Sequence, residues 1–103
     1  MFRKTLSTIL AIIDNMTDEE TLRKAHTEGA TRNWSQVRMS ALVGCFCCLE
    51  VMPSESIVEY CFERDGDRTA ICAKCGTDSV LGDAGDFPVD AEFLRAMARY
   101  WFS

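Results

Sequence analysis

The chain has 103 residues, enough for one small domain and not for two. Hydrophobic residues make up 48% of it, so a buried core is feasible, and no low-complexity run points to disorder. The net charge of −5 argues against non-specific binding to nucleic acid or an anionic membrane, which need cationic surface, and leaves a basic protein as a compatible partner.

Residues 1–43 read as helical. Phe2, Leu6, Ile9, Leu10 and Ile13 recur at helical spacing, giving a first helix that ends near Met16. Arg3 and Lys4 ahead of the apolar 6–13 run lend this start a faint look of an export signal. Ser7 and Thr8 interrupt that run, however, and no small-residue cleavage site follows. No stretch approaches the roughly 20 apolar residues that span a bilayer. The apolar stripe either packs internally or pairs with a second copy of the chain. Thr17-Asp18-Glu19-Glu20 has the form of a capping box, with Thr17 as N-cap. It starts a second helix that runs to about Glu28, with Gly29 just past its end. Asn33 and Gln36 repeat the pattern for a third helix carrying Trp34, Val37 and Ala41 and terminated by Gly44.

Residues 44–86 change character. A short strand is expected over 49–52, and Pro53-Ser54-Glu55 opens a turn. Val58, Tyr60 and Phe62 alternate with Glu59, Cys61 and Glu63, which is strand periodicity. Asp65-Gly66 supplies the turn of a hairpin and 68–72 returns. Cys61 reads as a packing residue of that strand. Gly76, Gly82 and Gly85 mark tight loops. Residues 87–103 close the chain with a helix, preceded by Pro88, capped by Asp90, and carrying Phe93, Leu94, Met97, Ala98 and Trp101 on its apolar face.

The chemistry lies in two Cys-x-x-Cys pairs, Cys45 with Cys48 and Cys72 with Cys75. Tight turns of this kind aim backbone N–H groups at sulfur, and two of them meeting beside a hairpin build the tetrahedral cage that structural Zn²⁺ favours. The stretch between the pairs is slightly longer than the common ~15–20 residues. Thioredoxin-like redox chemistry would want one such pair beside a βαβ unit, and no such unit is present. Six cysteines without a convincing export signal point to a reducing compartment, the cytoplasm. Cys47, between the first pair, points away from its neighbour Cys48 and reads as a small packed or half-exposed thiol. One Zn²⁺ on Cys45, Cys48, Cys72 and Cys75 is the expected cofactor. A site closed by four sulfurs contributes stability and does not by itself imply catalysis.

Other residues carry weaker signals. His26 is the only histidine, so no Cys/His catalytic set forms around it. Trp34, Tyr100 and Trp101 are candidate anchors for a protein partner, with core packing as the competing role. Asp78, Asp83 and Asp86 follow the second cysteine pair as a candidate acidic rim. Their spacing does not suit a calcium loop, and turn-forming is their plainer duty.

The segments GCFCC, MPSESI, TAICAKCGTDSVLGD and FPVDAEFLRAMARYWF carry a resemblance, together with Asn33, Val37 and Ser40. From Asn33 onward, about two thirds of its length, the chain resembles a family of small bacterial cytoplasmic proteins of zinc-ribbon type. The resemblance implies a zinc ribbon framed by an N-terminal and a C-terminal helix, and accessory or immunity-type proteins in place of enzymes. The chain departs from the family in its long first 30 residues and in Cys47, where a bulky residue is common.

The expected fold is therefore α+β in a single domain spanning 1–103. A zinc ribbon at 44–86 packs with a helical 1–43 and a C-terminal helix at 87–103. The expected function is a non-enzymatic, zinc-stabilised module that masks a partner, as an inhibitor, antitoxin or immunity protein masks a basic toxin or enzyme. One alternative is a nucleic-acid-binding zinc-ribbon regulator using Arg64, Arg68 and Lys74. A second is a thiol-redox or metal sensor using Cys47.

Overall fold

Asp18 opens the first helix of the structure, a computed structural model that describes residues 18–102. Its carboxylate accepts from the Thr21 N–H at 2.8 Å, as an N-cap does. The expected first helix and the expected cap Thr17 lie outside the described residues. Helix α1 (Glu19–Lys24) runs directly into one turn of π-helix, Ala25–Gly29, which stops where Gly29 was expected to stop it.

Helix α2 (Trp34–Met39) is shorter than the sequence suggested, and its start differs too. Asn33 makes no side-chain bond to the helix. Its amide is buried and spent elsewhere: Nδ2 donates to the carbonyls of Gly29 at 2.9 Å and Val80 at 2.7 Å, and Oδ1 accepts from the Ala70 N–H at 3.0 Å. At the other end the chain turns extended at Ser40 and enters strand β1 (Leu42–Cys45). Gly44 is thus a strand residue and not a helix terminator. Pairing on both sides of β1 outweighs the weak helical pattern of 34–41.

Strand β2 (Val51–Pro53) follows, then a single 3₁₀ turn at Ser54–Ser56. Strands β3 (Glu59–Phe62) and β4 (Arg68–Ile71) form the expected antiparallel hairpin, pairing Tyr60 with Ala70 and Phe62 with Arg68. Gly66 adopts a φ of +88°, the left-handed conformation its turn needs. Strand β5 (Val80–Gly82) stands where a tight loop at Gly82 is expected; its three residues form too short a run to show a period. Helix α3 (Ala91–Phe102) starts as expected, with Asp90 accepting from the Phe93 N–H at 2.8 Å.

The three-stranded sheet has the order β2-β1-β5, antiparallel throughout, with Val43 opposite both Met52 and Gly82. Alternation along β1 divides the core in two. Val43 and Cys45 face one side, where Val37, Met52, Ile57, Ala70, Cys72 and Val80 complete a cluster under α2 and the hairpin. On the other side Phe46 and Leu81 pack with Leu22, Ala25, Phe93, Leu94 and Met97, so α1 and α3 cover that face. Gly44 allows α3 to lie this close: a Cβ there would stand 2.9 Å from Leu94 Cδ1 and 3.3 Å from Val89 Cβ. Gly44→Ala should cost about 1–3 kcal/mol through overpacking, read as a lower midpoint in a thermal melt followed by circular dichroism.

The hairpin is less buried than its alternation implied. Val58, Tyr60 and Phe62 are all exposed, and Cys61, expected to pack, is exposed as well. Only β4 reaches the core, through Thr69 and Ala70; β3 is the outer strand of a two-stranded ribbon.

Candidate metal centre

Two turns of matching construction carry the four cysteines. In each, the first cysteine N–H bonds to the carbonyl five residues on: Cys45 to Glu50 at 3.0 Å, Cys72 to Thr77 at 2.8 Å. Its carbonyl accepts from the residue four on, Leu49 at 2.8 Å and Gly76 at 3.0 Å. Its sulfur accepts an N–H from the residue two on, Cys47 in one turn and Lys74 in the other, both at 3.3 Å. The residue after the second cysteine has positive φ in both, 79° at Gly76 and 66° at Leu49. Leu49 does this without glycine, at a strain of roughly 1–2 kcal/mol.

The fold brings these turns together. Cys45 ends β1, Cys72 directly follows β4, and both strands deliver their cysteines into the same core cluster. The four sulfurs lie within 4.8 Å of one another, and among the described residues this is the one such cluster of His, Cys, Asp or Glu ligand atoms. The Cys45–Cys75 sulfurs are 3.7 Å apart and the Cys48–Cys72 sulfurs 3.8 Å apart. A regular tetrahedron with a metal–sulfur distance of about 2.3 Å has an edge of about 3.8 Å. The donor set and its spacing therefore fit a four-coordinate metal ion. Disulfides do not describe the site, since all six cysteines are free thiols.

Burial and charge divide the four candidate ligands unequally. Cys45 and Cys72 are buried, Cys48 is half-buried and Cys75 is exposed. Burial pushes the Cys45 thiol far above the ordinary thiol range, and it raises Cys48 as well. Burial acts upward on Cys75 too. The Thr77 hydroxyl and N–H, with the thiols of Cys45 and Cys72, outweigh it and bring Cys75 down to about 6. A divalent cation at the centre would favour the deprotonated state of all four. Lys74 and Glu50, one from each turn, pair across the site at 4.0 Å.

Thr77 was missed from the sequence. Its hydroxyl lies 3.2 Å from Cys75 Sγ and 3.7 Å from Cys45 Sγ, so one side chain touches sulfur from both turns. Its position two residues past Cys75 was the available signal. Cys47 is exposed and not packed.

The other predicted site residues are not gathered into one surface. Trp34 lies on the hairpin side of the sheet, 4.8 Å from the Tyr60 ring, with Arg38 4.6 Å above its face. Tyr100 and Trp101 lie on the α1 side. The Tyr100 hydroxyl donates to Glu19 at 3.0 Å, Trp101 Nε1 donates to the Leu22 carbonyl at 3.3 Å, and the Trp101 ring sits 4.6 Å from His26. These contacts tie α3 to α1, though both rings stay over a third exposed. Asp78 and Asp86 are exposed. Asp83 is exposed too, but its carboxylate accepts from the Ala41 N–H at 2.9 Å and so braces the entry to β1.

No family model, curated protein or solved structure matches this chain. Its functional reading rests on the site and the surface alone. No helix among the described residues is long and apolar enough to cross a membrane.

Proposed function

We propose that Cys45, Cys48, Cys72 and Cys75 hold one structural Zn²⁺, that their two turns are zinc-ribbon knuckles, and that the chain is a non-enzymatic protein-binding module. It masks a basic partner in a reducing cytoplasm, as an inhibitor or immunity protein does. The sulfur spacing of 3.7 and 3.8 Å carries the metal half of this reading. Thiolate ligands in tetrahedral array suit zinc, and four of them leave no open position for water or substrate.

Surface chemistry supports the binding half. The net charge of −5 is complementary to a basic partner, and Asp78 and Asp86 present carboxylates in the loops around β5. Trp34 is a pre-ordered aromatic anchor: Arg38 donates to the carbonyls of Ser54 at 2.8 Å and Ile57 at 2.7 Å, which fixes its guanidinium over the indole. Side chains ordered in advance lose less entropy when a partner covers them.

Elemental analysis should find one zinc per chain. Coexpression with the product of the neighbouring open reading frame should show its toxicity neutralised, and Asp78→Lys with Asp86→Lys should weaken that protection at least tenfold. Absence of protection by the wild-type chain removes the masking role. Asp83 is left out of the pair because its loss would disturb β1.

A second reading has one observation in its favour. Arg38 and Arg68 stand over the faces of Trp34 and Tyr60 at 4.6 to 5.7 Å, and alternating cations and rings are what single-stranded nucleic acid stacks on. Mobility shifts with single-stranded RNA or DNA at low salt separate the two readings.

A further inference from the structure

The other strand edges in this fold are at least partly closed. Outward from β5, the Val80 carbonyl accepts from Asn33 Nδ2 and the Gly82 carbonyl accepts from the Gly85 N–H at 3.1 Å. At the opposite edge, β2 is three residues long and ends at Pro53, which has no N–H to offer. In the hairpin, Asn33 Oδ1 takes the outward Ala70 N–H of β4.

β3 stands apart from this pattern. The Glu63 N–H donates to the Asp67 carbonyl at 2.8 Å, and the register pairs 59 with 71 and 61 with 69. In an antiparallel ladder the hydrogen-bonded pairs alternate, so Glu59, Cys61 and Glu63 bond toward β4. The N–H and C=O groups of Val58, Tyr60 and Phe62 therefore point away from it. No other backbone group or side chain among the described residues takes them. Val58 is 71% and Phe62 70% exposed. β3 has no Lys, Pro or bulge of the kind that blunts such edges, and its one charged residue is Glu59.

We propose that β3 pairs with β3 of a second copy of this chain, antiparallel across a two-fold axis, joining two hairpins into a four-stranded sheet. Charge selects the register. Outward groups at 58, 60 and 62 require even residues to meet even residues. Centring on Tyr60 places Val58 opposite Phe62 of the second copy and Glu59 opposite its Cys61. A slip in one direction sets Glu59 against Glu59, and in the other against Glu63. Like charges directly opposite are destabilising. The Tyr60-centred register also matches exposed apolar side chains across the seam, in the self-complementary manner of an isologous interface. A second copy is thus the occupant for which β3 itself supplies both halves of the pattern.

Glu59→Cys tests the register directly. In the paired sheet it faces Cys61 of the second copy in a non-hydrogen-bonded pair, with Cα atoms about 4.5 Å apart, inside disulfide range. Metal-loaded protein carrying Cys47→Ser, to silence the other exposed non-ligand thiol, should give a covalent dimer with oxidised glutathione, linked 59 to 61 on peptide mapping. Glu63→Cys, which faces residue 57, should give no link to Cys61. Phe62→Pro removes an outward N–H and an exposed ring of the seam and leaves the hydrogen bonds of the β3–β4 ladder in place. It should weaken association at least tenfold in sedimentation equilibrium. A wild-type chain that stays monomeric with no 59–61 link, a link through 63, or a dimer unaffected by Phe62→Pro each overturns the proposal. None of these readouts depends on the masking role.

Discussion

Cys72→Ser should abolish tight metal binding and lower the unfolding midpoint by more than about 15 °C, whereas Cys75→Ser should leave a folded protein with weakened metal affinity. The difference follows from position. Cys72 is 1% exposed and Cys45 fully buried, so both are core residues as well as candidate ligands. Their sulfurs each accept a turn N–H, and both belong to the apolar cluster under the hairpin. Losing Cys72 breaks a turn, leaves a hydroxyl among apolar neighbours and opens the cage on its inner side. Cys75 is exposed, so water can replace its sulfur at the outer corner.

Magnitudes make the metal decisive. Structural Zn²⁺ contributes about 10–16 kcal/mol of apparent binding free energy in small zinc domains, comparable with the whole ~5–15 kcal/mol stability of a folded chain. Losing even ~3 kcal/mol of this shifts the midpoint of a chain this size by roughly 12–24 °C. Chelation should therefore reproduce the Cys72→Ser melt. Acid should act in the same direction. Metal binding requires four thiolates, and burial holds the proton on Cys45, so loading falls as pH drops. Thermal melts with and without chelator, alongside metal analysis of each variant, check the ranking. A chelated protein with an unchanged melt would show that the apolar clusters hold the fold without the ion.

The cysteine site was legible because its signal is a fixed spacing, which survives ignorance of the fold. The hairpin was legible for a similar reason, since Asp65-Gly66 demands a turn and the flanking residues alternate. The C-terminal helix announced itself through Asp90 and a long apolar period. β1 did not: Leu42, Val43 and Gly44 continue a helical pattern, and only pairing with β2 and β5, distant in sequence, makes them a strand. β3 misled in another way. Its alternation is real, but as the outer strand of a two-stranded ribbon it leaves all four of its residues exposed, Tyr60 less so than Phe62. Periodicity reports that a strand has two faces and not which face is covered.

Asn33 departs furthest from the role its position suggests, and it carries the second large effect. Its place before a helix suggested a cap, while its amide holds three main-chain groups from different parts of the chain: the Gly29 and Val80 carbonyls and the Ala70 N–H. It is 2% exposed, so no water replaces it. Asn33→Ala strands all three. At about 1–3 kcal/mol for each unsatisfied buried group, the loss should total at least about 3 kcal/mol, a large share of the stability of a domain this size. Asn33→Asp should be worse at neutral pH, because a carboxylate can accept from Ala70 but faces two carbonyls with no hydrogen to give. Repulsion and burial together raise its folded pKa above the unfolded value. Its protonated form is therefore favoured by folding, and stability is lost as pH rises from about 4 toward 7. The deficit of Asn33→Asp relative to Asn33→Ala should accordingly shrink on acidification. Urea melts of the metal-loaded variants at pH 5 and pH 7.5 measure this, and equal midpoints for wild type and Asn33→Ala would show that the bridge between the two sheets is not where the fold is held.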